Sequence, residues 1–122
     1  MVVWIIGLSG SGKTTLAKEV YRQSKKKNKA LFFLDGDVIR EVFNHDLGHE
    51  LEDRRINASR MSQLSKYLDD QGISVVCSIL SIFQSTRDWN RENINSYYEV
   101  FVDADIEDLR ERDVKGIYKA FK

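Results

Sequence analysis

The sequence predicts a three-layer α/β domain built on a parallel sheet, and three observations predict it. First, short apolar runs recur along the chain: Val2-Val3-Trp4-Ile5-Ile6, Ala30-Leu31-Phe32-Phe33-Leu34, residues 73–80 and residues 97–102. Near-continuous runs of this length suit strands buried on both faces of a sheet. Second, stretches with helical spacing separate them, as parallel strands require. Third, Gly7-Leu8-Ser9-Gly10-Ser11-Gly12-Lys13-Thr14 joins the first run to the first helical stretch. It fits the phosphate-binding pattern G-x-x-x-x-G-K-[ST].

The loop chemistry explains its spacing. Glycines open backbone conformations that a Cβ forbids, so successive N–H groups can turn inward and cradle phosphate oxygens. Lys13 reaches the β/γ-phosphates of a nucleotide, and the Thr14 hydroxyl can ligate Mg²⁺. The loop also feeds the positive end of the helix that follows. That helix is expected over residues 13–25, where Leu16, Ala17, Val20 and Tyr21 recur at helical spacing. Lys25-Lys26-Lys27-Asn28-Lys29 has no interleaved aromatics and reads as a solvated turn.

The second strand ends in Asp35-Gly36-Asp37. Ligands of open α/β sheets bind at the carboxyl ends of strands, so these carboxylates are well placed for Mg²⁺ or a substrate hydroxyl. An Asp-Gly turn with Asp37 capping a helix from Val38 is the structural alternative, and capping and catalysis can coexist. Arg40 follows on the same first helical turn. Residues 44–52 are polar and irregular. His45 and His49 have a zinc-like spacing, but Gly48 breaks the helix it needs, so both are expected as exposed loop residues.

Residues 53–71 read as the longest helix, with Ile56, Met61, Leu64 and Leu68 as its apolar stripe, Tyr67 beside it and Gly72 at C′. Arg54, Asn57 and Arg60 share one face and on spacing alone read as solvated. The third strand, residues 73–80, has no acidic residue at its end. Residues 81–95 are polar, with Arg87 and Arg91 facing phosphates or solvent. Beyond the fourth strand, Asp103 or Asp105 can cap a short helix through Leu109.

Bulk properties narrow the function. The chain has 122 residues, which suits one domain, and a formal net charge of zero, so no whole-chain field favours nucleic acid or membrane. A single cysteine, Cys77, excludes an internal disulfide and agrees with a reducing compartment. No segment is long enough to span a bilayer, and the apolar N-terminus lacks the basic start of a signal peptide. The expected location is the cytoplasm.

The motifs together resemble one family, the adenylylsulfate kinases. These are P-loop enzymes that phosphorylate the ribose 3′-hydroxyl of adenosine 5′-phosphosulfate with MgATP, in sulfate assimilation. The resemblance rests on residues 7–15, on Leu34-Asp35-Gly36-Asp37 with Arg40, and on Asp46-Leu47-Gly48. It continues through Asp53-Arg54-x-x-Asn57-x-x-Arg60 and ends at Arg112-Asp113-x-Lys115-Gly116-Ile117-Tyr118-Lys119-Ala120. It implies that ATP lies on Gly7, Ser9, Gly10, Ser11, Gly12, Lys13, Thr14 and Thr15, with Mg²⁺ on Thr14 and Asp35. It makes Lys13 and Asp37 the catalytic residues, Asp37 holding or deprotonating the acceptor hydroxyl. Arg40, Arg54, Asn57 and Ser81 would bind the nucleotide acceptor, and Lys115 would approach its phosphosulfate.

The chain departs from the family in places. His49 stands where the family has a Phe that stacks on the acceptor base. Leu80-Ser81-Ile82-Phe83-Gln84 replaces Ile-Ser-Pro-Phe/Tyr-Arg, and Ile56 replaces a Glu. These changes leave the acceptor open, since some relatives phosphorylate other nucleotide-linked anions such as cytidine diphosphoramidate. The family continues past this last motif into a fifth strand and a final helix, whereas the sequence ends at Lys122. The expected fold is therefore a P-loop NTPase fold with strand order 2-3-1-4, the fifth strand missing, in a single kinase domain over residues 1–122. The expected partner is a nucleotide-linked small molecule, with no nucleic acid and no membrane, and the reading admits a homodimer. The rival reading is a nucleotide-binding protein without catalysis.

Overall fold

The structure, a computed structural model, describes residues 1–7, 13–26, 30–79 and 83–102. The elements run β1 (Val2–Gly7), α1 (Lys13–Lys25), β2 (Leu31–Asp35), α2 (Gly36–Val42), α3 (Leu51–Asp70), β3 (Ser74–Ile79), α4 (Gln84–Asn93) and β4 (Tyr97–Val102). Among the described residues the strands form one sheet in the order β2-β3-β1-β4, each neighbouring pair parallel. This is the expected order. The helix expected from Asp103 or Asp105 to Leu109 lies outside the described residues.

Strand alternation divides the core into two. Val3 and Ile5 of β1 join Val76 of β3 and pack under Leu16, Ala17 and Val20 of α1. Val2, Trp4 and Ile6 face the other way, with Val75, Cys77 and Ile79, and meet Ile39 of α2, Ala58 and Met61 of α3 and Trp89 of α4. Helices thus cover both faces of the sheet, so the inner strands β1 and β3 are buried along almost their whole length and are rich in apolar residues, with Ser74 and Ser78 the polar positions of β3. Among the described residues no helix is long and apolar enough to cross a membrane.

Two expectations about the helices change. α3 buries Asn57, Ala58, Met61, Ser62 and Ser65, while Leu64 of the expected stripe and Tyr67 beside it are exposed. Its inner face mixes Met61 and Asn57 with the small Ala58, Ser62 and Ser65, and the Ser65 hydroxyl lies 3.2 Å from the Cys77 sulfur of β3. A count of large apolar residues cannot find such a face. The polar stretch after β3 contains a helix, α4, whose buried positions are Thr86 and Asn90. Asn90 Nδ2 donates to the Tyr97 hydroxyl at 3.1 Å. Arg91, expected toward phosphate or solvent, is paired with Glu99 at 3.1 and 2.5 Å. Arg87 lies over the Phe101 ring at 5.2 Å.

Burial pushes the Cys77 thiol up from 9.0 to about 12, against a smaller opposing effect of the Ser65 hydrogen bond. The folded pKa is the higher one, so this contribution to stability is complete below about pH 9. It is lost as pH rises from 9.0 towards 12, because the unfolded chain gives up its proton first. Burial also raises the Tyr97 hydroxyl, in the same direction. Urea unfolding should therefore show stability falling from about pH 9 towards about pH 12, by up to about 1.4 kcal/mol per pH unit from Cys77. Cys77→Ala should flatten that slope, and an unchanged slope would mean that Cys77 is not the group responsible.

Candidate active site

The parallel register brings the strand ends to one edge of the sheet. Ile6 pairs with Ile79, Gly7 with Val102 and Asp35 with Ser78. Gly7 is where β1 enters the Gly-rich loop, and α1 leaves that loop at Lys13. Thr15 is half-buried in the first turn of α1. Ser9, Gly10, Ser11, Gly12, Ser81 and Lys115 lie outside the described residues, as do the side chains of Lys13 and Thr14.

The acidic end of β2 is well defined. Asp35 is extended, with φ −105° and ψ 138°, and is the N-cap of α2. Its Oδ1 accepts from the N–H groups of Asp37 at 2.9 Å and Val38 at 3.4 Å. The capping expected of Asp37 therefore belongs to Asp35. The helix starts one residue past the strand, which makes Asp35 the residue with the non-helical backbone a cap needs. Asp37 is left in the first turn, its side chain 85% exposed, with Oδ1 accepting from Arg40 Nη1 at 2.8 Å.

Arg40 is the opposite case. Its side chain is only 10% exposed, and Nε is buried without a partner among the described residues. A buried guanidinium held by one nearly free carboxylate is electrostatically incomplete, with donors left over for another anion. Beside it, Asn57 of α3 donates from Nδ2 to the Gly36 carbonyl at 3.1 Å, while its Oδ1 is buried and unpaired among the described residues. Arg54, one turn earlier, donates from Nε to the His49 carbonyl at 2.7 Å. The structure thus brings Asp35, Asp37, Arg40 and Asn57 together at the α2 start and sets Arg54 on the loop next to them. His45 and His49 are both exposed, as expected.

Sequence reasoning missed the fasteners of that loop. Asp53 Oδ2 accepts from the Gly48 N–H at 3.1 Å, and Arg60 makes a forked pair with Asp46 at 2.9 and 2.6 Å. Both acids and Arg60 stand inside the quoted motifs. Their partners lie too far away in sequence for helical spacing to indicate them. Hard oxygen donors are what Mg²⁺ takes, and it is commonly held by one or two carboxylates plus substrate phosphates. Asp35 fits that set, since its cap bonds use only Oδ1.

A parallel sheet of this order, with a Gly-Lys-Thr loop leaving an inner strand, is the frame of the P-loop NTPases. The chain belongs to the adenylylsulphate kinase family, whose model matches residues 1–122. It is 44% identical over 118 residues to the adenylyl-sulfate kinase of Halothermothrix orenii, a match that covers 97% of this chain and 64% of that protein. It is 38% identical over 117 residues to the cytidine diphosphoramidate kinase of Campylobacter jejuni, covering 96% and 68%. Among solved structures, it superposes with a TM-score of 0.74 and 36% identity on the Mycobacterium tuberculosis APS kinase CysC in complex with AMPPNP and APS. That match covers 97% of this chain and 70% of the other. The chain spans about two thirds of the length of these relatives.

The two aspartates separate by experiment. Asp35→Ala should lower stability by about 0.5–2 kcal/mol in denaturant unfolding, the usual cost of a lost N-cap. An unchanged unfolding midpoint would show that the Asp35 bonds do not hold the α2 start.

Proposed function

We propose that this chain transfers the γ-phosphoryl of ATP to a hydroxyl of a nucleotide-linked small anion, with the 3′-hydroxyl of adenosine 5′-phosphosulfate as first candidate. The observation that carries this is the pair at the α2 start. An exposed Asp37 carboxylate leans on a buried Arg40, at the sheet edge where β1 enters the Gly-rich loop. In this reading ATP lies on Gly7 and residues 9–15, with Lys13 against its β/γ-phosphates. Thr14 and Asp35 would hold Mg²⁺, which neutralises charge on those phosphates.

Asp37 orients the acceptor hydroxyl and takes its proton. The Arg40 bond fixes one carboxylate oxygen at 2.8 Å and leaves the other facing solvent, where a hydroxyl can reach it. Arg40, Arg54 and Asn57 line the acceptor side, joined by Ser81 and by Lys115 at the acceptor's anionic group. Phosphoryl transfer asks little covalent chemistry of the protein, so positioning and charge do most of the work. Residues 1–122 act as one domain in the cytoplasm, and a homodimer is compatible with this reading.

The kinetic test is Asp37→Asn. The kcat should fall by about 10²–10⁴-fold, the usual range for a general base, while ATP affinity changes little. A near-normal kcat would remove Asp37 from the chemistry.

A second acceptor has support of its own. The Campylobacter jejuni relative is a cytidine diphosphoramidate kinase, and this chain is 38% identical to it over 117 residues. His49 is a smaller ring than Phe and stacks less strongly on a base, and Gln84 lacks the fixed charge an Arg would bring to an anion. In the structure Gln84 is exposed at the start of α4 and bonded to Asp88 and Arg87. The double variant His49→Phe, Gln84→Arg should therefore raise kcat/KM for adenylylsulfate and lower it for cytidine-linked anions. If the unaltered protein already prefers adenylylsulfate with a micromolar KM, both departures are tolerated variation and the cytidine-linked reading falls.

A further inference from the structure

The loop of residues 43–50 carries backbone that needs holding. α2 ends on Phe43, the Asn44 N–H donates to the Glu41 carbonyl at 2.9 Å, and the His45 N–H donates to the Arg40 carbonyl at 2.8 Å. These are the paired bonds of a Schellman end, with Asn44 in the left-handed C′ position at φ 60°. Such an end needs one left-handed residue, and this loop has two, since His45 has φ 53°. A residue with a Cβ stays in that region only where its surroundings over-determine it, and such positions cluster at functional sites.

The restraint comes from α3. Arg60 donates Nη1 to Asp46 Oδ1 at 2.9 Å and Nη2 to Asp46 Oδ2 at 2.6 Å. The same guanidinium lies 4.5 Å from the centroid of the Phe43 ring. One side chain therefore grips the loop on both sides of its two left-handed residues. A fork on a carboxylate fixes direction as well as distance, which a point charge does not. The bond from Arg60 also holds the Asp46 carboxyl below its ordinary range. The pair is half open to water, with side chains 29% and 45% exposed, so global stability is not what it chiefly supplies.

We propose that Arg60 is a positioning residue, which through Asp46 and Phe43 sets the posture in which residues 47–49 meet the acceptor's base. The inference rests on the kinase reading above and adds to it a residue that touches neither nucleotide. Asp53 and Arg54 complete the strap by holding the main chain at Gly48 and His49.

The test is steady-state kinetics on Arg60→Ala, Arg60→Lys, Asp46→Asn and the double variant Arg60→Ala, Asp46→Asn. With Arg60→Ala or Asp46→Asn the acceptor KM should rise by about 10- to 100-fold, the scale of a misplaced binding element, while the ATP KM stays put. The double variant should be no worse than the worse single one, because both break the same contact. Arg60→Lys keeps charge without the fork and should recover only part of the loss. Amide hydrogen exchange should quicken across residues 44–50 and stay unchanged across β3. An acceptor KM that does not move in the single variants, or effects that multiply in the double, would overturn the role of Arg60. So would a loss confined to melting temperature. If the unaltered protein phosphorylates neither adenylylsulfate nor a cytidine-linked anion, the kinase reading itself fails and this one with it. If the unaltered protein turns over an acceptor and the single variants keep its KM, the kinase reading stands and the positioning role alone falls.

Discussion

One hydrogen bond joins the halves of the candidate site: Asn57 Nδ2 to the Gly36 carbonyl, at 3.1 Å and fully buried. Gly36 opens α2, the helix that carries Asp37 and Arg40, and Asn57 lies in the half of α3 that carries Arg54 and Arg60. A buried amide cannot drift, because losing its partner costs the desolvation of both groups. The bond therefore fixes how α3 lies against the end of β2. Everything α3 does to the loop between α2 and α3 is measured from that point. A Cβ at position 36 would stand in ordinary contact with Asn57 Nδ2 and Ile79 Cγ1, each at 3.6 Å.

Charge at this edge is placed unevenly. Arg40 is buried, and its carboxylate partner is almost entirely in water. An ion pair built for stability would bury or expose both members and satisfy the remaining donors. Here Arg40 Nε and Asn57 Oδ1 are buried with no partner among the described residues. Such unpaired groups are costly in a low-dielectric interior, so the arrangement is easier to understand as a receptor for polar atoms than as a support. The Asp35 cap is the reverse, with both acceptor bonds local and serving the backbone.

The sequence showed the frame and hid the fittings. Strand β1 is an unbroken apolar run up to Gly7, and β3 is apolar apart from Ser74 and Ser78, because helices cover both faces, and that pattern is legible without a structure. The Gly-rich loop names its own chemistry through spacing. Other features leave no periodic trace. α4 buries Thr86 and Asn90 and so shows no apolar stripe, and the inner face of α3 includes two serines. On sequence grounds Asp37 is the alternative cap for α2, whereas the structure gives the cap to Asp35, because both aspartates flank the same glycine and only backbone angles distinguish them. Arg60 and Asp46 are quoted in the family motifs, yet their contact spans a sequence separation of 14, set by a chain reversal with two left-handed residues. Reversals of that kind are decided by the tertiary contacts that hold them.

The way the loop is fastened bears on how its chemistry can vary. Arg54 bonds the His49 carbonyl and Asp53 bonds the Gly48 N–H, so both fasteners grip main chain. The His49 ring is exposed and makes no contact that the strap depends on. Position 49 can therefore change its ring without disturbing the geometry that delivers it. The constraint falls instead on position 48, where a Cβ would stand 3.1 Å from Asp53 Oδ2 and force that side chain to give way. Posture and identity are thus separated along the loop. Residues 46 and 48 are tied to α3 through Asp46 and the Gly48 N–H, whereas residue 49 is held by its carbonyl and its side chain is exposed.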